Sequence, residues 1–510
     1  MKKVLAFDLG TGSVKAALFD EDAVCLGETV VPYPLYCSPD GILKEQDPSD
    51  WWSGVRTAAE ALLKSRSDLS EITAIGLSGH SLGIVPVNER HELLCDRTPI
   101  WSDTRAGAEA ADFFGRIDER TWYEDTGCGF SPASYPIFKL MWMKAHQPAL
   151  YGEAAAFIGT KDYINLLLTG RVATDISYAS GTGLFSLSGG DYVHRYVQAA
   201  GLDAAKLPPI RRSRDILGTL KPELAAAWGL SPDTAVICGG VDNACMCLGA
   251  GCYENGDAYV SLGSSAWVAS CAEGPVTGFQ QRLYTFAHCV DGLTIPAAGI
   301  YAAGTSLEWV IDTVFPTLRG EDAPYAAFDR LAERSPLGAH QVIFCPMLAG
   351  GSGVDASPRL RGGFSNLTLG TTREDLARAT LEGVAMELSL ALDALSARLP
   401  LADTLPVMGG GAKSLLWLDI YANVFGKKLR HSGLARNASA LGAAALAFHG
   451  TGLWKDYGKI KEAHRRQAAV TAFDADKQAL YQQVKKQFNR ICREQAGIVT
   501  EPPAAPASNF

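Results

Sequence analysis

The sequence has no excess of basic charge: its 510 residues carry 46 Lys and Arg against 55 Asp and Glu, a formal net charge of −9. A protein that coats duplex nucleic acid needs a concentrated basic face, so that class is excluded. Long hydrophobic runs are also missing. No window approaches the roughly 18 apolar residues of a membrane-crossing helix. The stretch behind Met1-Lys2-Lys3 is only Val4-Leu5-Ala6-Phe7, short of the about 7–15 residues of a signal-peptide core. The expectation is a cytoplasmic protein with no membrane contact. Zinc-type cysteine spacing is absent as well: 12 cysteines are scattered from Cys25 to Cys492, and even Cys245, Cys247 and Cys252 match no such pattern. In a reducing compartment they read as small buried thiols rather than disulfides.

What is present is a globular composition, 47% hydrophobic and 20% charged, with length for two to four domains. Glycine is in excess, 52 residues or about 10% against a usual ~7%, so tight turns and close backbone approaches are expected. Strand and helix signals alternate, which favours an α/β architecture. Short apolar runs at Val4–Phe7, Val14–Phe19, Ile72–Leu77, Val236–Cys238, Tyr259–Leu262 and Val407-Met408 each end in glycine or a polar residue. Thr371-x-x-Glu374 reads as a capping box opening a helix marked by Leu376, Thr380, Val384, Leu388 and Leu392. Leu480, Val484, Phe488 and Ile491 mark a last amphipathic helix, and the Pro/Ala stretch 501–510 reads as a disordered tail. Phe7-Asp8-Leu9-Gly10-Thr11-Gly12-Ser13 is echoed by Val260-Ser261-Leu262-Gly263-Ser264-Ser265, half a chain away. That echo points to a duplication with a boundary near 246.

A nucleoside triphosphate needs backbone N–H groups that approach its phosphates closely, hence small residues at tight turns. Three turns offer this: Gly10-Thr11-Gly12-Ser13, Gly263-Ser264-Ser265, and Gly409-Gly410-Gly411-Ala412-Lys413-Ser414 before an expected helix Leu415–Phe425. A P-loop is excluded because Ala412 stands where Gly must precede Lys413-Ser414, and a dinucleotide fingerprint because Lys15 holds its last glycine position. Asp8 and Asp242 end apolar runs; such acids are either solvated turn residues or groups that hold Mg²⁺ through water or take a proton from a substrate hydroxyl. Gly79-His80-Ser81-Leu82-Gly83 spells a hydrolase nucleophile elbow at Ser81, but Ile84-Val85-Pro86-Val87 after it reads as a strand where the elbow needs a helix.

In order along the chain, these residues resemble the FGGY carbohydrate kinases, within the actin–hexokinase–chaperone ATPase superfamily. The likeness runs through Asp8-Leu9-Gly10-Thr11 with Lys15, Glu45-Gln46-Asp47-Pro48, Trp101-Ser102-Asp103-Thr104-Arg105, Pro136-x-x-Lys139-Leu140-x-Trp142 and Thr174-Asp175. It continues through Gly239-Gly240-Val241-Asp242-Asn243, the third glycine turn and Ala440-Leu441-Gly442. The resemblance implies two ribonuclease-H-like (actin/hexokinase-type) α/β domains around a central cleft. The first, 1–246, would bind sugar and carry the base; the second, 247–500, would bind ATP. It implies ATP and Mg²⁺ as cofactors, Asp242 as catalytic base, and Asp8 with Asp242 as the metal site. ATP would contact Gly10, Thr11, Gly12, Ser13, Gly263, Ser264, Ser265, Gly304, Thr305, Gly409, Gly410, Gly411, Ala412 and Ser414. Sugar would meet His80, Ser81, Trp101, Asp103, Arg105 and Asp242.

Many members of the family are homodimers, and none of the implied partners is nucleic acid or membrane. Within the family the chain is most similar to the xylulokinases, which implies D-xylulose as acceptor. Ribulose, glycerol or a tetritol are the alternatives. His80-Ser81-Leu82-Gly83 replaces their Gln-Met-His-Gly, Gly350-Gly351-Ser352-Gly353-Val354-Asp355 replaces a Gly-Glu-Arg-x-Pro stretch, Asn366 replaces a glycine, and Asn437 replaces the usual Glu. A nucleotide-gated ATPase of the same superfamily would lack a sugar pocket, and Trp101, Asp103 and Arg105 argue against it.

Overall fold

The computed structural model describes residues 1–64 and 66–498, so the tail expected over 501–510 lies outside the described residues. The chain forms two compact units. One comprises Met1–Asp257, Ser270–Pro296 and Asn437–Gln467; the other comprises Ala258–Ala269, Ala297–Arg436 and the described residues from Ala468 on. These units are interleaved in sequence, whereas the expected division is a single cut after residue 246. The physical reason for the difference is the helix Ala438–Gly450, which returns late in the chain to pack on strands of the first unit.

The first unit is built on a seven-stranded sheet. Lys3–Leu9, Ser13–Asp20 and Cys25–Pro32 form an antiparallel meander. Ile72–Gly79 lies parallel to Lys3–Leu9 on its other side, followed by Ala235–Ile237, parallel again, and Ile216–Thr219, antiparallel at the edge. Val4, Leu5, Ala6 and Phe7 are all fully buried, as expected for a strand covered on both faces. The helix Pro48–Leu63 packs against the meander; Asp47 caps it by accepting from the Ser49 N–H, and Pro48 occupies the first helical position, where no N–H is needed.

The second unit repeats this arrangement. Ala258–Leu262 neighbours Ala266–Ser270, which pairs antiparallel with residues 297–300. Thr404–Met408 is parallel to Ala258–Leu262, Lys428–Ser432 is parallel to Thr404–Met408, and Ala468–Thr471 closes the edge antiparallel. Meander, two parallel strands and an antiparallel edge thus occur twice, so each unit has the ribonuclease-H-like topology. The sequence echo falls at equivalent places: Gly10 N–H donates to the Ser13 carbonyl (3.0 Å) and Gly263 N–H to the Ser265 carbonyl (2.9 Å). The helix Leu415–Phe425 has the expected bounds. The long helix runs Arg373–Ser396, and its capping box is Thr372 with Asp375, one residue later than expected. Asp375 wins because its buried carboxylate also accepts from Ser335 Oγ (2.6 Å). No helix among the described residues is long and apolar enough to cross a membrane.

Glycine sets the closest contacts of the first unit. A Cβ on Gly442 would lie 1.9 Å from the Cys245 carbonyl oxygen, one on Gly249 1.8 Å from that of Ala438, and one on Gly76 2.2 Å from that of Ala443. The helices Asp242–Gly249 and Ala438–Gly450 therefore cross at backbone contact. In an open helix Gly→Ala gains up to about 1 kcal/mol. Here the sign reverses: Gly442→Ala is expected to cost about 1–3 kcal/mol or more, read as a lower urea midpoint. A raised midpoint would refute the backbone crossing.

Candidate active site

Parallel register brings the two acids of the first unit together. Asp8 is aligned with Ser78, and Gly240 and Val241 pair with Ser78 and Gly79 on the other side of the same strand. Asp242 follows at once as the first residue of the helix Asp242–Gly249. The turn into this position depends on Gly239, whose φ of +78° is left-handed and whose Cβ would lie 2.2 Å from the Leu77 carbonyl oxygen. Ser78 Oγ donates to Asp8 Oδ1 at 2.9 Å. Burial raises the Asp8 carboxyl above its ordinary range, against the Ser78 hydrogen bond and the Lys15 charge. Asp242 is pushed up to about 7, first by burial and then by the negative charge of Asp8.

The first glycine turn is fixed from outside. Tyr33 Oη donates to the Gly10 carbonyl, Gln46 Nε2 to that of Thr11 (2.6 Å), and Trp101 Nε1 to Thr11 Oγ1 (2.9 Å). Trp101 keeps 43% of its surface exposed. His80 is buried, edge-on to Trp51 at 5.3 Å and within 3.2 Å of Thr160 Oγ1, and burial lowers its ring to about 4, so it is neutral near pH 7. Ser81 is partly exposed and is followed by the strand Val85–Val87, paired with Ala156–Ile158, so no nucleophile elbow forms.

Asp103 and Arg105 are bound to each other. Arg105 Nε and Nη2 donate to the two carboxylate oxygens of Asp103 (2.8 and 2.7 Å), Nη2 reaches Glu45 (2.6 Å), and the guanidinium lies over Trp142. Lys44 N–H occupies Asp103 further, at 2.7 Å. Both side chains are thus consumed in shaping the loop. Lys139 has a role the sequence did not assign: its buried Nζ, lowered to about 7 by burial, donates to the carbonyls of Leu82 (3.1 Å) and Ile100 (2.6 Å), tying the loop of His80 and Ser81 to that of Trp101. Only its place in Pro136-x-x-Lys139 marks it beforehand.

The second unit holds a cavity of about 600 Å³, lined by Gly263, Ser264, Gly304, Gly410, Gly411 and Ser414 among the expected nucleotide contacts. Ser265, Thr305, Gly409 and Ala412 do not line it, and Gly10, Thr11, Gly12 and Ser13 belong to the other unit. Gly304 comes so close to Gly263 that a Cβ would sit 2.6 Å from its carbonyl oxygen. Gly410 faces open space. Ser414 caps the helix Leu415–Phe425 by accepting from Trp417 N–H (3.0 Å). The opposite wall was not anticipated. It carries Glu308, Tyr325 and Asp329 on the helices Gly304–Val314 and Pro324–Ala332, with Tyr325 Oη donating to Glu308 (2.9 Å). These helices have ordinary amphipathic sequences, which give no local signal of a cavity.

Two groups have metal-ligand chemistry. Asp8 and Asp242 are hard oxygen donors whose raised titration a divalent cation would relieve, so they fit Mg²⁺. Cys247, Cys271 and His288 bring ligand atoms within 4.8 Å of one another. His288, however, accepts from Val290 N–H at Nδ1 (2.8 Å) and meets the Cys252 carbonyl at Nε2 (3.1 Å), which leaves neither ring nitrogen a free lone pair.

Sequence models of the FGGY family of carbohydrate kinases match the chain, the N-terminal domain over residues 3–249 and the C-terminal domain over residues 258–451. The chain is 29% identical over 477 residues to a xylulose kinase of Bacillus subtilis, covering 92% of each, and 27% identical over 456 residues to a gluconokinase of the same organism, covering 88% of each. A solved xylulose kinase of Brucella ovis superposes with a TM-score of 0.89 at 27% identity, covering 98% of this chain and all of that one.

The raised Asp242 carboxyl makes stability depend on pH with a definite sign. The folded state favours the protonated acid, so this contribution is fully present below the ordinary value of 3.8 and is lost as pH rises through about 7. Asp242→Asn, which cannot ionise, is therefore expected to raise Tm over the parent more at about pH 8 than at about pH 5. An equal difference at both would show that Asp242 titrates as a free carboxylate.

Proposed function

The chain belongs to the FGGY family of carbohydrate kinases, and from that premise we propose a cytoplasmic enzyme that phosphorylates D-xylulose with ATP, giving D-xylulose 5-phosphate. The observation that carries this reading is the pairing of Asp8 with Asp242, the latter titrating at about 7. A general base works best near the operating pH; burial and the like charge of Asp8 raise Asp242 in that direction, a rise that Mg²⁺ when bound would offset in part. Asp242 takes the proton from a primary hydroxyl as that oxygen attacks the γ-phosphorus in line. Asp8 and Asp242 would hold Mg²⁺, which when bound neutralises phosphate charge.

The remaining groups position the substrates. Gly263, Ser264 and Gly304 leave room for the phosphates to approach the turn closely, and Gly410 and Gly411 form a floor without side chains under the adenosine. Ser81 and Trp101 are the partly exposed groups on the acceptor side, and His80, Asp103, Arg105 and Lys139 shape the loops around them. Since the protein supplies little covalent chemistry, positioning and charge account for most of the rate. Xylulose is favoured over gluconate because the xylulose kinase relative is the nearer of the two in identity and coverage.

The test is ADP release over pentuloses, hexuloses, gluconate, glycerol and tetritols, with Asp242→Asn alongside. D-xylulose is expected to give the highest kcat/KM, and Asp242→Asn to keep nucleotide binding while losing about 10²–10⁴-fold in sugar-dependent turnover. A different leading acceptor would overturn the substrate, and a near-parental kcat the base. Gly410→Val should fill open space in the cavity without a clash in the fold. Weaker ATP binding by calorimetry at unchanged Tm is expected, and unchanged affinity would displace the adenosine from this floor.

A further inference from the structure

The backbone just before Asp242 is held by a buried side-chain relay that the mechanism above does not use. Val241 N–H donates to Ser177 Oγ at 2.9 Å. Ser177 Oγ in turn donates to Asp175 Oδ2, which also accepts from Ser177 N–H (2.8 Å) and Ser213 Oγ (2.7 Å). Asp175 Oδ1 is paired with Lys161 Nζ at 2.9 Å, and Lys161 is also paired with Asp162. Lys161, Asp162, Asp175, Ser177 and Ser213 are each at most 1% exposed.

The direction of this relay follows from chemistry. An ionised carboxylate only accepts, so Asp175 takes the one hydroxyl proton of Ser177. The lone pairs of Ser177 are thereby turned toward Val241 N–H. Lys161 Nζ is the buried partner of Asp175 Oδ1; the carboxylates of Asp162 and Asp175 hold the lysine well above its ordinary range against the effect of burial. Upstream, Cys238 N–H donates to the Asp215 carbonyl and Gly239 N–H to that of Ser213, both at 2.9 Å, and Asn165 Nδ2 donates to the Cys238 carbonyl at 2.7 Å. Ser177 is the side chain, among the described residues, that fastens the peptide next to Asp242.

We propose that Ser177, oriented by Asp175 and Lys161, is a positioning residue that sets the direction of the Asp242 carboxylate. The inference rests on Asp242 being the base. Without the hydroxyl, Val241 N–H is buried and unpaired, and the peptide turns to find another partner. Small misplacements of a reacting group cost up to about 10²-fold in rate.

The test compares Ser177→Ala, Ser177→Thr and Asp242→Asn as full-length enzymes, each checked for folding by Tm and for nucleotide binding by calorimetry. Ser177→Ala is expected to lower kcat about tenfold or more with the KM values for ATP and acceptor within about twofold, and Ser177→Thr, which keeps the hydroxyl, to recover most of kcat. Parental kcat in Ser177→Ala, or a loss that appears equally in KM and in bound nucleotide, would overturn the positioning role while Asp242→Asn remains inactive. An active Asp242→Asn would instead overturn the base itself.

Discussion

A single strand, Ile72–Gly79, decides the chemistry of the first unit. Lys3–Leu9 lies parallel on one side of it and Gly240-Val241 parallel on the other, so the carboxyl ends of both neighbours emerge at one edge of the sheet. Asp8 is the penultimate residue of one neighbour, and Asp242 directly follows the other. Two carboxylates desolvated side by side cannot both ionise at their ordinary pH, and the one with less compensation yields. Asp8 has the Ser78 hydroxyl and the Lys15 charge; Asp242 is lowered only by backbone N–H groups, its own and that of Asn243. The asymmetry gives one acid a titration near neutrality, and it follows from register. Shifting either neighbour by one residue would point its acid to the opposite face.

The surroundings keep that register in place. Gly239 supplies the left-handed turn, the relay through Ser177 fastens the next peptide, and the glycine contacts at Gly76, Gly249 and Gly442 hold the helix Ala438–Gly450 against the sheet and against the helix that Asp242 opens. These are steric and hydrogen-bonding constraints, with the buried pair of Lys161 and Asp175 behind the relay. The stability cost of a half-neutral buried acid is therefore offset by packing elsewhere in the same unit, as functional sites commonly require.

Much of this was legible in the sequence, because it is local. Apolar runs ending in glycine or a polar residue gave the strand ends, the glycine turn before Leu415–Phe425 gave a helix, and the repeated turn at Gly10 and Gly263 gave the duplication. What was not legible depends on distant partners. Asp103 and Arg105 look like free recognition groups until Glu45, Lys44 and Trp142 are seen to occupy them. Tyr325 and Asp329 line a cavity only because their helix packs beside a turn far along the chain. The interleaving of the units is of the same kind, since nothing near Ala438 announces which sheet that helix will cover.

The departures from the family pattern also acquire physical meaning. Asn366, in place of a glycine, has a φ of +64°, so the left-handed backbone persists and asparagine is among the few other residues that tolerate it. Asn437, in place of an acid, accepts from Lys15 Nζ (2.9 Å) through its oxygen and donates to Glu28 through its amide nitrogen. A carboxylate there would repel Glu28, whereas the amide satisfies both partners at once. Both replacements preserve geometry. The segment His80–Gly83 differs in kind, because a neutral packed histidine, a partly exposed serine and a buried leucine stand where the xylulokinases carry Gln, Met and His. The change there is one of side-chain chemistry, in a segment that Lys139 ties to the loop of Trp101.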